Sequence, residues 1–337
     1  MNILYMSCHS ILEFEEVKLL KELGHKVFSY GAYTTFRNPG DDMRPVLDYD
    51  DDFPEMIGPA TMISKDMLTN KFIEPFDVII VMHIPNWVVR NWDVIKQKKV
   101  VWRTIGQSGS HTEVSLRKAR DEGLNIVRYS PMERTIGGFI GEDVIIRFYK
   151  DATEFGRWNG EKKRVMSCCQ NLTERKRACN FKIYSSVIQG FESVIYGSNK
   201  NVELPNAAGR VSYDKLLSEY RDNRVYFYTG THPASYTLNF MEAFMTGIPV
   251  VAIGPGNGNA FYIPGCENLY EIKNLIVDGE NGFISDDVSV LRERIEMLLN
   301  DHEEAIRIGR AGRKTAIELF DKNVIKKQWE MFLGGLK

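Results

Sequence analysis

Short, continuously apolar runs recur along this chain, each followed by a segment with helical spacing. NILYMS opens the sequence, and FEEVKLLKELG follows with Phe14, Val17, Leu20 and Leu23 on one helical face and Gly24 as the stop. HKVFSYG, FDVIIVMHIPN, KKVVWRTIGQS and LNIVRYSP repeat the strand pattern. It restarts after Gly160 with KRVMSCCQ, ESVIYGSN, RVYFYTG and IPVVAIG, interleaved with helical stretches such as FKIYSSVIQGF and SYDKLLSEYR. A strand that is apolar on both faces belongs inside a parallel sheet covered by helices on each side. The chain therefore predicts an α/β fold of two Rossmann-like doubly wound domains facing across a cleft.

Its 337 residues accommodate two such domains. The expected division is 1–155, 156–318 and a C-terminal helix, 319–337, packing back on the first domain. The charged, Gly-containing YKDATEFGRWNGEKKR is the expected linker, and the last third, from SVLRERIEMLLN onward, reads as strongly helical.

Composition narrows the function. Hydrophobic residues are 43% and charged residues 26%, as in soluble globular proteins. No run is long and apolar enough for a membrane span, and the N-terminus lacks the basic region of a signal peptide. Five scattered cysteines fit a reduced, cytoplasmic chain and lack zinc-site spacing. Residues 1–160 carry 20 Lys+Arg against 23 Asp+Glu, and the remainder 23 against 22, a net −3 and +1. Neither half is a basic body for bulk binding of nucleic acid. The first β-α turn, MSCHSILEFEE, has no G-x-G-x-x-G, and no G-x-x-x-x-G-K-[ST] occurs, which argues against NAD enzymes and P-loop NTPases. DDMRPVLDYDDDFPE holds seven acidic residues and one Arg. It reads first as a solvated loop and, as a lesser alternative, as oxygen ligands for magnesium or manganese.

In ASYTLNFMEAFMTGIPVVAIG, a helix is expected from about Ser235 to Met245, with Ser235 or Thr237 as cap and Gly247 as stop. Its N-terminus offers free amides and a positive dipole end to an anion. Glu242 borders the apolar stripe, where an unpartnered carboxylate is costly. Two vicinal hydroxyls, as on a ribose, would satisfy it, and so would a Lys or Arg. The cluster ERKR, containing Arg175, Lys176 and Arg177, is either a solvated turn or a phosphate clamp. His83 ends an apolar strand and is either packed or catalytic.

MEAFMTGIPVVAIG resembles the E-A-x-x-x-G-x-P-V-V signature of retaining GT-B glycosyltransferases, in particular glycosyltransferase family four. NLYEIKNLIVDGENGFISDD, the Gly24–Val27 turn and the terminal helix with Trp329 are also similar to that family. The resemblance is specific over Glu242–Ile284 and covers the rest in outline. It implies that Glu242 binds the nucleotide ribose and that the amides of Thr237 and Leu238, after Tyr236, meet phosphate. It implies that Lys176 serves the diphosphate, with Arg175 or Arg177 replacing a cation where Asn171 stands. Glu271 would face the base or ribose, and His83 would lie beside the transferred sugar. His9, Arg103 and Gln107 are candidates on the acceptor side.

Two departures stand out. The first acid of the family's E-x7-E falls at Ala234, with His232 or Ser235 as possible substitutes. The loop GPGNGNAFYIPGCENLYE is longer than usual; its Phe261 and Tyr262 would stack on a ligand or simply pack.

The expected function is sugar transfer from a nucleotide-diphosphate sugar, by resemblance with retention and without metal or other cofactor. The acceptor is a glycan, a small molecule or a hydroxymethylated DNA base. A nucleotide-sugar epimerase and a non-catalytic nucleotide-sugar binder are the alternatives.

Overall fold

The computed structural model describes residues 1–31, 64–199, 204–259 and 264–336. The acidic segment 41–55, Phe261 and Tyr262 lie outside them. The chain divides into two units. The first comprises Met1–Tyr149, Pro264–Cys266 and Asn323–Lys337; the second comprises Lys150–Ile263 and Glu267–Lys322.

The first unit holds β1 (Asn2–Met6), β2 (Lys26–Ser29), β3 (Val78–Met82), β4 (Lys99–Arg103), β5 (Asn125–Arg128) and β6 (Val144–Ile145). They form a parallel sheet in the order β2-β1-β3-β4-β5-β6. Helices Ser10–Glu22, Pro85–Ile95 and Ser110–Asp121 connect the strands. All of β3 is buried, as its unbroken apolar run requires. Met6, Val81, Trp92, Trp102 and Ile126 share one core.

The second unit holds β7 (Lys162–Cys168), β8 (Ser193–Tyr196), β9 (Ala207–Gly209), β10 (Asn223–Tyr228), β11 (Val250–Ile253) and β12 (Phe283–Ser285). Its parallel sheet runs β12-β11-β10-β7-β8-β9. The expected two doubly wound sheets are therefore present. β6, β9 and β12, of two or three residues each, have no sequence signature because so short a run shows no period.

The long helical stretch near the end is three helices. Val288–Asn300 and His302–Phe320 are separated at Asp301, whose carboxylate accepts from the Glu304 amide at 3.0 Å. Lys322–Gly335 follows and buries Trp329 in the first unit. Within that unit Lys99 Nζ donates to the Leu336 carbonyl at 2.8 Å.

Candidate functional site

Open α/β sheets bind ligands beyond the carboxyl ends of their strands, where the strand order reverses. In the second unit that point lies between β7 and β10. The chain leaving β7 carries Arg175, Lys176 and Arg177; the chain leaving β10 runs into the helix Leu238–Thr246.

Hydrogen bonds knit these two loops together. Asn180 Nδ2 donates to the Thr229 carbonyl at 2.9 Å, and the His232 amide donates to the Ala178 carbonyl at 2.7 Å. Asn239, in the first turn of the helix, donates from Nδ2 to the Cys168 carbonyl at the end of β7 at 2.9 Å. The helix tip is thereby fixed beside the strand end from which the basic loop departs. Arg175, Lys176 and Arg177 are exposed, with Lys176 Nζ 5.3 Å from the Phe181 ring centre. At the loop's root the neighbouring Cys169 thiol lowers the pKa of Cys179.

Several expectations for this helix need correction. It begins at Leu238 rather than Ser235, so Glu242 lies about one turn from the tip. Thr237 is the cap residue, but its side chain makes no capping bond. The Thr237 amide already donates to Tyr228 Oη at 3.0 Å, which leaves the Leu238 and Asn239 amides ahead of the first intrahelical bond. Ser235 is fully buried, does not cap, and its Oγ has no partner among the described residues. Tyr236 offers no ring to a ligand: it is buried, with its centroid 5.6 Å from Phe320 and 6.2 Å from Phe240.

Glu242 is 4% exposed and Lys150 is 1% exposed. Lys150 Nζ lies 3.1 Å from Glu242 Oε1, and Tyr220 Oη donates to Oε2 at 3.3 Å. The carboxylate thus has protein partners that offset its burial. Lys150, a residue of the expected linker, carried no sequence signal for this role. Glu271 is buried beside the same loop, its amide donating to the Ser235 carbonyl at 3.0 Å. Ala234 is buried where the family's acid was expected. Burial lowers the pKa of His232, against a raising backbone bond with Gly258. In the long loop, residues 264–266 count with the first unit, where Cys266 Sγ donates to the Ser108 carbonyl at 3.4 Å.

In the first unit the strand order reverses between β1 and β3. His9 follows β1 and His83 follows β3, so the topology brings both histidines to one crevice. His83 has φ +61°, an uncommon backbone state for a side-chain-bearing residue and a recurrent mark of functional positions. Its Nδ1 is buried without a partner among the described residues. Burial, and then the neighbouring His9, lower its pKa. His9 accepts the Leu12 amide on Nδ1 at 3.4 Å, capping the helix Ser10–Glu22. Lys65, not singled out by sequence, donates to the Ser7 carbonyl at 3.0 Å and lies 4.6 Å from the Trp87 ring centre.

Arg103 does not belong to an acceptor surface. It is fully buried, with Nε and Nη2 at 2.9 and 2.8 Å from Glu16 Oε1 and Nη1 donating to the Ile146 carbonyl at 2.6 Å. Phe148 and Trp329 flank its guanidinium at 4.0 and 5.7 Å. It is a core ion pair. Gln107 is exposed. Among the described residues, no group of three His, Cys, Asp or Glu side chains is placed to hold a metal ion, and no helix is long and apolar enough to cross a membrane.

At the level of sequence the chain matches no protein-family model and no curated protein. Its fold does match solved structures. Sucrose-phosphate synthase from Thermosynechococcus elongatus superposes with a TM-score of 0.70 at 13% identity, over 100% of this chain and 99% of that one. A glycosyltransferase from Rickettsia africae gives 0.66 at 13% identity, over 98% and 97%. HepE of Anabaena in complex with UDP gives 0.62 at 13% identity over the whole of both chains, and it has also been solved with UDP-glucose. The fold is that of GT-B glycosyltransferases, with two Rossmann-like units.

Proposed function

We propose that this chain is a glycosyltransferase that moves a sugar from a nucleotide-diphosphate sugar to an acceptor hydroxyl. One observation carries the reading: an exposed basic loop and a helix N-terminus are tied together at the strand-order reversal of the second unit. That arrangement suits a diphosphate. Arginine and lysine supply charge, and the Leu238 and Asn239 amides supply oriented donors. Complexes of HepE with UDP and UDP-glucose, in a protein of the same fold, support a uridine nucleotide sugar as donor.

When the glycosidic bond to the diphosphate breaks, negative charge grows on the leaving phosphate. Lys176, Arg175 and Arg177 stabilise it most at that moment, which is how such groups lower a barrier. Glu242 is assigned to the ribose and Glu271 to the base or ribose, on the sequence resemblance. Lys150 and Tyr220 would hold the Glu242 carboxylate in one orientation. His83 and His9 are assigned to the acceptor and the transferred sugar. Retention and independence from metal belong to this reading, as does a cytoplasmic place of action.

Calorimetry with UDP, followed by mass spectrometry of products from a panel of nucleotide sugars and acceptors, tests it. Wild-type protein should bind UDP, and Lys176→Ala should weaken that binding about tenfold, the loss of one charge-assisted contact. A wild-type protein that ignores every nucleotide offered would end the proposal. Donor turnover without a glycosylated product would favour the epimerase. Binding with no turnover would favour the non-catalytic reading, to which the buried Ala234 lends weight.

A further inference from the structure

The helix Leu238–Thr246 has a second end. Gly247 closes it with φ +89°, about 13 Å from the tip at 1.5 Å per residue. There the second unit forms an open concavity of about 410 Å³ lined by Arg157, Trp158, Gly247, His302, Arg310 and Arg313. That volume lies within the usual range for small-molecule sites. None of these residues takes part in the donor site described above.

The lining carries three arginines. His302, Arg310 and Arg313 belong to the helix His302–Phe320, at spacings that put them along one face. Arg313 donates to the carbonyls of Ala152, Phe155 and Met245, which fixes its guanidinium. Arg157 lines the same concavity with φ +62°, an uncommon backbone state for a side-chain-bearing residue. Among the described residues neither Arg157 nor Arg310 forms an ion pair, whereas nearby Arg307 is paired with Glu304 at 2.6 Å. Arg157 and Arg310 are exposed and can meet an anion arriving from solvent.

The cavity also has a rigid flat wall. Trp158 Nε1 donates to the Asn223 carbonyl at 2.7 Å, and its ring meets His302 edge-on at 5.8 Å. Beneath it lies Gly160, where a Cβ would stand 2.3 Å from the indole. The backbone has made room for the ring at that point. Trp158 is half-buried, and an indole is a side chain on which a planar base or a sugar ring can stack.

We propose that this cavity binds a small phosphorylated ring compound, a nucleoside monophosphate or a sugar phosphate, as a site separate from the donor site. The arginines take the phosphate, for which a forked guanidinium is suited, and Trp158 takes the ring. The inference needs no sugar transfer, but its separateness rests on the donor site proposed above.

The full chain, titrated with AMP, glucose 6-phosphate and inorganic phosphate by calorimetry in the presence of saturating UDP, tests the site. AMP or glucose 6-phosphate should bind at least about tenfold more tightly than phosphate, since only they engage the indole. The double variant Arg157→Gln/Arg310→Gln should lose at least about tenfold in that affinity. Trp158→Leu should weaken the ring compounds but not phosphate. UDP affinity should stay unchanged in all of them. Melting curves of the free variants, matched to wild type, exclude misfolding as the cause. The proposal is overturned if neither ring compound binds at millimolar concentration, if UDP displaces them, or if a folded double variant binds them as wild type does. Equal affinity for phosphate and the ring compounds would overturn the part assigned to Trp158.

Discussion

Lys150 and Glu242 stand 92 residues apart in sequence and 3.1 Å apart in space, both almost wholly buried. Removing one member of such a pair leaves the other charged in a medium that solvates it poorly. Glu242→Ala is therefore expected to destabilise the protein by about 3–5 kcal/mol, and replacing both residues by Met should cost far less. Denaturant unfolding of the single and double variants checks this. A Glu242→Ala protein as stable as wild type would show that the pair carries no weight. The same variants separate stability from binding: UDP affinity in the double-Met protein reports whether the carboxylate also touches the nucleotide.

His83 should titrate below the ordinary histidine value of 6.5, because burial and the His9 ring both disfavour its protonated form. A lowered histidine pKa means that the folded state binds fewer protons than the unfolded chain. The stability it contributes is complete above pH 6.5 and is lost as pH falls through the folded value. A proton NMR titration is expected to give a midpoint under 6.5 for His83, moving upward in His9→Ala. A midpoint at or above 6.5 in the wild type would contradict the burial described for this ring.

Glu219 offers the clearest acid-side prediction. Burial alone would raise its pKa, but hydrogen bonds from Lys215, Asn223 and Lys162 outweigh it and hold the carboxyl at about 2. Arg164 adds an ion pair at 2.6 Å. A depressed carboxyl contributes stability that is present above its ordinary value of 4.5 and disappears as pH falls toward 2. Glu219→Gln should be less stable than wild type by about 2 kcal/mol at neutral pH. The gap should narrow steadily below pH 4.5; a gap independent of pH would rule out the charge as its source.

The helices His302–Phe320 and Leu238–Thr246 meet at Gly309, where a Cβ would stand 2.1 Å from the Gly247 carbonyl oxygen. Gly309→Ala must push these elements apart, at an expected cost of about 1–3 kcal/mol. Gly334, with open space around its missing side chain, is the control. Gly334→Ala should leave the melting temperature unchanged or raise it slightly, since alanine favours the helix. Equal effects at both positions would mean that the close approach at Gly309 does not exist.

What the sequence determined by itself is the alternation, and with it the two parallel sheets. Val78–Met82 is apolar at every position, and that run suits only a strand covered on both faces, wherever its neighbours lie. The basic loop after β7 and the histidines after β1 and β3 were also legible, because strand ends are local features and ligand crevices form beyond them. Short β6 and β12 were not, since two or three residues show no period. Tertiary structure alone decided which polar groups are engaged. Arg103 resembles any cation at a strand end until Glu16, 87 residues away, reaches it. The Thr237 amide looks available to phosphate until Tyr228 approaches. Glu242 poses the question of an unpartnered carboxylate until Lys150 arrives from the start of the second unit. Hydrophobic periodicity is written along one element, whereas the partner of a buried charge depends on which distant element the fold brings beside it.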